Sequence, residues 1–139
     1  MSESCVFCSI AARRADAAIV LEGADVVAFM DARPIRPGHV LVVPRAHNPE
    51  LLDIDGDTYA HVLDAARTIG RAIRQAFQPK KVGIVVAGFD VPHAHVHVIP
   101  MHDYHDVTSR ALLEGTLEVA AMDDLRDTAE KLKRELDGA

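Results

Sequence analysis

Three of the eight histidines in this 139-residue chain fall at positions 93, 95 and 97. Between and behind them stand Ala94, Val96, Val98 and Ile99, all apolar. Alternation with period two marks a β-strand over His93–Pro100, in which successive side chains point to opposite faces. The three imidazoles then share one face, with Ala94, Val96 and Val98 packed behind. A row of imidazoles is a poor way to build a core. Two kinds of chemistry suit it: ligation of a metal by neutral imidazole, or histidine chemistry on a substrate. The plain alternative is a polar face that merely uses histidine.

Cys5 and Cys8, the only two cysteines, form a Cys-x-x-Cys pair. A disulfide scaffold would need more cysteines in a smaller chain. Three options stay open: a redox pair, half of a metal site, or two small buried residues. The redox reading is the weakest, because no strand precedes the pair.

These residues need a frame. After Cys5-Val6-Phe7-Cys8, Ser9 to Ala15 reads as a turn or two of helix through Ile10, Ala11 and Ala12. Ile19–Glu22 and Val26–Met30 read as strands joined by Gly23-Ala24-Asp25, a hairpin. Asp31–Gly38 holds two prolines and a glycine and must be a loop. His39–Pro44 is a third strand, apolar enough to be central. From Asp57 to Phe77 apolar residues recur with helical spacing, with Asp55 or Asp57 as cap and Pro79 as stop. Val82–Ala87 is a fourth strand, Gly88–Pro92 a connector, and the histidine strand the fifth. Met101–Glu118 reads as loop with short helical turns. A C-terminal helix begins near Met122, with Leu125, Ala129, Leu132 and Leu136 on one face. The expected class is α+β: a five-stranded, mostly antiparallel sheet with one long helix and a C-terminal helix.

Composition narrows the partners. The chain is 49% hydrophobic and 26% charged with a formal charge of −6, which argues against a basic nucleic-acid surface. No apolar run approaches a membrane span and no leader pattern begins the chain, so a cytoplasmic protein is expected. The length suits one domain over residues 1–139. Its core lies at about 5–100, with 101–139 a C-terminal extension.

Taken together, the chain resembles the histidine triad (HIT) family of nucleotide hydrolases and transferases. The resemblance rests on His93-Ala94-His95-Val96-His97, on Phe29-Met30-Asp31 before a proline-containing loop, and on Pro37-Gly38-His39 through Pro44 followed by Arg45-Ala46-His47. Cys5-Val6-Phe7-Cys8-Ser9-Ile10 is similar to the start of zinc-carrying members. The resemblance implies cleavage at the α-phosphate of a nucleoside 5′-phosphoramidate, aminoacyl adenylate or dinucleotide. His95 would be the nucleophile of a nucleotidyl-histidine intermediate, with His97 a donor to the phosphoryl oxygens and His93 and His39 close by. Asp31 would bind the ribose hydroxyls, and Val6, Phe7, Ile10 and Phe29 the base of a purine nucleotide of adenosine type. Cys5, Cys8, His47 and His93 would hold a structural Zn²⁺. A homodimer with the Asp57–Phe77 helix at its interface is also implied.

One stretch departs from the family pattern. Before the triad, members usually read Gly-Gln-Ser/Thr-Val-x-His; here the run is Gly88-Phe89-Asp90-Val91-Pro92-His93. Backbone N–H groups around Gly88 can still hold a phosphate oxygen. Asp90 replaces a hydroxyl that serves the leaving group. It either acts as a general acid or turns away and caps the connector. Besides the enzyme, two readings therefore stand: a nucleotide-binding or interaction protein with little turnover, and a catalytic metal held directly by the three histidines.

Overall fold

The computed structural model describes residues 4–108 and 117–138. The hairpin forms as the turn residues dictate: β1 (Ile19–Glu22) pairs antiparallel with β2 (Val26–Met30). Gly23 N–H donates to the Val26 carbonyl across the turn. β3 (Val40–Pro44) adds to β2, and α2 (Gly56–Phe77) crosses to β4 (Lys81–Val85). β5 (Val96–Met101) then inserts between β3 and β4, which gives the order β1-β2-β3-β5-β4. All four pairings are antiparallel, and β3 is the central strand.

Alternation on β2, β3 and β5 divides the interior in two. Val26, Ala28 and Met30, with Val40, Val42, Val96 and Val98, face α2 and the C-terminal helix α4 (Met122–Asp137). That cluster takes Val62, Ala66, Ile69 and Ile73 from α2 and Leu125, Ala129 and Leu132 from α4. The apolar stripe of α2 is thus buried within its own chain. The opposite face carries Val27, Phe29, Leu41 and Val43, covered by α1 (Val6–Ala11) through Phe7, Cys8, Ile10 and Ala11. The histidines belong to this second face.

Several boundaries move from the expected ones. Asp55 caps α2 by accepting from Thr58 N–H, and Gln78, in the left-handed region, closes it ahead of Pro79. β4 is Lys81–Val85 rather than Val82–Ala87. β5 begins at Val96, not His93, because its ladder with β3 starts at Val96 opposite Val42. Upstream, His93 N–H turns back to the Val91 carbonyl and Ala94 N–H goes to Asn48. A short α3 (His105–Thr108) follows β5; the rest of the region expected to be loop, 109–116, lies outside the described residues. Among the described residues no helix is long and apolar enough to cross a membrane.

Candidate active site and metal centre

β5 and the residues leading into it set the imidazoles side by side. The His95 and His97 ring centroids are 5.1 Å apart, and those of His97 and His39, which directly precedes β3, are also 5.1 Å apart. Phe7 of α1 meets His95 edge-to-face at 5.1 Å and stacks in the same manner on Phe29 at 5.4 Å. His39, His93 and His95 are all but fully buried.

Backbone partners assign the proton on each ring. His95 Nδ1 lies 2.7 Å from the His93 carbonyl. A carbonyl can only accept, so Nδ1 carries the proton and Nε2 keeps its lone pair. That Nε2 is buried, and among the described residues nothing hydrogen-bonds it. His93 Nε2 donates to the Pro44 carbonyl at 2.8 Å, which leaves its Nδ1 free to ligate. Ile35 N–H donates to His39 Nδ1 at 3.0 Å. His39 therefore carries its proton on Nε2 and donates it to His97 Nδ1 at 2.9 Å. His97 is left with an Nε2–H. The four rings have four defined tasks in proton terms.

Electrostatics keep this arrangement neutral. Burial, then the neighbouring His97 charge, lowers the His39 pKa to about 3. Burial and the His95 charge lower His97 to about 4. Asp31 moves the other way: burial raises its carboxyl to about 6, with Asp90 adding to the rise and the Arg33 N–H opposing it. Its Oδ1 accepts from Arg33 N–H at 2.9 Å, and its Oδ2 lies 3.3 Å from His39 Nε2. Asp31, His39 and His97 are close enough to suggest a second metal group. The Ile35 N–H argues otherwise. A metal on His39 Nε2 would force a proton onto Nδ1, against that donor.

The second cluster has a different character. Cys5 Sγ lies 3.3 Å and Cys8 Sγ 3.5 Å from His93 Nδ1, and Cys8 Sγ is 3.3 Å from His47 Nδ1. All four ligand atoms lie within 4.8 Å of one another. In a zinc tetrahedron with Zn–S about 2.3 Å and Zn–N about 2.0 Å, sulfur and nitrogen are about 3.5 Å apart. Spacing and donor chemistry both fit. The Pro44 carbonyl on His93 is the outer partner that metal-bound imidazoles usually have.

The remaining expected residues are distributed unevenly. Phe7, Ile10 and Phe29 are buried in the small cluster beneath the histidines, while Val6 is half exposed. Gly88 is left-handed (φ +82°), and no atom lies within 4 Å of where a Cβ would stand. Phe89 is fully exposed. Asp90 Oδ1 accepts from Val91 N–H at 3.1 Å and also comes to 3.4 Å from His95 Nε2. The cap and the approach to His95 coexist. Sequence reading missed the residues that fix the loops. Arg45 donates to the Ala11 and Gly23 carbonyls and so ties α1 to the hairpin. Arg36 pairs with Asp106, 70 residues on. The second had no signal in the sequence, where Arg36 and Asp106 both stand in stretches read as loop.

Comparison with known proteins agrees with this geometry. The model of the HIT domain family matches residues 12–104, and the chain belongs to that family. An uncharacterized HIT-like protein of Saccharolobus solfataricus is 39% identical over 101 residues, covering 69% of this chain and 73% of its own. The crystal structure of a Zn-bound histidine triad family protein from Mycobacterium smegmatis matches with a TM-score of 0.78 at 26% identity, over 97% of this chain and 94% of the other. The asymmetrical bis(5′-nucleosyl)-tetraphosphatase of Schizosaccharomyces pombe is 38% identical over 78 residues, 52% of this chain and 43% of that one.

Proposed function

We propose that the protein is a nucleotide hydrolase or transferase that cleaves at the α-phosphate through a covalent intermediate on His95. The substrates that fit are nucleoside 5′-phosphoramidates, aminoacyl adenylates and dinucleotides, as for the tetraphosphatase relative. One observation carries this reading: the His95 Nε2 lone pair is buried and unpartnered, with its Nδ1 proton locked on a carbonyl. In the first step Nε2 forms a bond to phosphorus while the bond from phosphorus to the leaving nitrogen or oxygen breaks. His97 Nε2–H donates to the phosphoryl oxygen as its charge grows. In the second step water attacks phosphorus and returns a proton to Asp90, the N–P bond breaks, His95 Nε2 regains its lone pair and the nucleotide departs.

Asp90 Oδ1, 3.4 Å from His95 Nε2, stands beside the attacking atom, where it passes a proton to the leaving group. A cleft of about 270 Å³ beside the metal cluster is lined by Cys5, Val6, His47, Asp90, Val91 and Pro92. Asp31 binds the ribose hydroxyls, N–H groups near Gly88 a phosphate oxygen, and Val6, Phe7, Ile10 and Phe29 an adenosine-type base. Cys5, Cys8, His47 and His93 hold a structural zinc. Their thiolates suit a reducing, cytoplasmic setting. The chain acts as one domain and pairs as a homodimer beside α2 and the exposed edge strand β4.

The test is incubation with adenosine 5′-phosphoramidate beside His95→Ala, following AMP release and weighing quenched samples. Wild type releases AMP and shows a nucleotidyl adduct; the variant shows neither. Equal inactivity with retained AMP binding would instead favour a binding protein with little turnover. The observation behind that second reading is Phe89, fully exposed where the family carries an amide.

A further inference from the structure

Asp106 is the only buried carboxylate among the described residues, and the chemistry above does not use it. Oδ1 accepts from Arg36 Nε at 2.8 Å and stands 2.8 Å from Arg36 Nη2, a two-pronged grip by one guanidinium. Oδ2 accepts from His102 N–H at 2.6 Å and Asp103 N–H at 3.1 Å. Every acceptor direction is engaged. Burial would raise this carboxyl, but the two N–H groups and the guanidinium outweigh it and hold it below the usual range. The cluster joins the end of β5 and α3 to the 31–39 loop.

That loop carries the donor that decides the proton on His39. Its ends are pinned to each other: Asp31 N–H donates to the His39 carbonyl at 3.0 Å, and His39 N–H to the Arg36 carbonyl at 3.1 Å. Arg36 follows Ile35, whose N–H meets His39 Nδ1. Of the described side chains of residues 33–38, only Arg36 makes a hydrogen bond outside the loop. A one-ångström drift of the loop would break the Ile35 contact and release His39 to either tautomer. His97 Nδ1 would then lose its donor, and its own proton could move to Nδ1.

We infer that Asp106 and Arg36 are positioning residues for His97: their ion pair fixes the 31–39 loop so that the Ile35 N–H sets the His39 tautomer, which in turn keeps a proton on His97 Nε2 facing the site. The geometric chain stands by itself, and its catalytic consequence rests on the hydrolase reading above. The pair touches no substrate and acts through the loop.

Long-range ¹H–¹⁵N spectra of the histidine rings report tautomers directly, without turnover. Wild type should show single Nε2–H forms for His39 and His97. Asp106→Asn loses the charge and one acceptor, so both rings should become mixed. Arg36→Lys keeps the charge but loses the fork, and should give the same mixing to a lesser degree. Should Asp106→Asn fail to fold, Arg36→Lys decides. In phosphoramidate hydrolysis kcat should fall roughly tenfold with KM within about twofold, as misplacement of a donor predicts. Unchanged tautomers in folded variants, with only a lower melting temperature, would overturn the inference. A wild type that hydrolyses nothing would sink the function reading, while the ring spectra would still decide the clamp.

Discussion

Asp31, proposed to bind the ribose hydroxyls, illustrates how a single residue can lower stability. Its folded pKa, about 6, lies above a carboxyl group's ordinary 3.8, so the native state binds the proton more tightly than the unfolded chain does. The stabilising contribution is complete below about pH 4 and is lost as pH rises through 6. Above that, the ionised carboxylate costs on the order of 1–3 kcal/mol, at 1.36 kcal/mol per pKa unit. Asp31→Asn should therefore melt a few degrees higher than wild type at pH 8, with the gap closing by pH 4. Scanning calorimetry across that range checks the sign. The same change should weaken AMP binding about tenfold, since a charged acceptor is replaced by a neutral one. His39 and His97 behave oppositely. Their lowered pKa values mean the native state resists protonation, so stability falls as pH drops from about 6.5 toward about 3.

At the scale of elements, α1 cannot stand alone. It has six residues, too few to be helical in water without tertiary support. Three things hold it: Phe7 and Ile10 buried against β2 and β3, Arg45 on the Ala11 carbonyl, and the cysteine pair at its start. If Cys5, Cys8, His47 and His93 bind zinc, the metal is what joins α1 to the segment entering β5. Metal analysis should find one zinc per chain. A strong chelator, or Cys8→Ser, should lower the melting temperature and raise hydrogen exchange at residues 5–12. Amides of β2 and β3 should stay protected. Gly38 serves the next element along: its φ of +104° opens the turn into β3, and a Cβ there would come within 2.8 Å of the Phe77 ring.

At the scale of the whole molecule, β1 has α4 packed near it, whereas β4 is the last strand of the sheet among the described residues. Ile84, 54% exposed, stands on that strand, and half-exposed Val86 follows it. An apolar open edge invites pairing with another chain. Sedimentation should therefore find a dimer, and Ile84→Arg a monomer with its fold intact by circular dichroism. A wild-type monomer at micromolar concentration would remove the dimer from the proposed function.

Much of this was legible in the residues themselves. Short apolar runs bounded by turn residues placed the hairpin and β3, and period-two alternation placed His93, His95 and His97 on one face, because a strand's side-chain directions follow from its backbone alone. Apolar spacing of 3.6 placed α2 and α4 for the same local reason. What the sequence could not decide were contacts between residues far apart in the chain. Ladder hydrogen bonds, not alternation, start β5 at Val96 and leave His93 and His95 in the segment before it. The proton on each imidazole depends on which backbone group faces it: Pro44, His93 or Ile35. Asp106 looked like one more loop carboxylate until the fold buried it against Arg36. Local periodicity determines which side chains share a face, but the partners across that face are a property of the tertiary structure, because only packing fixes which donor meets which acceptor.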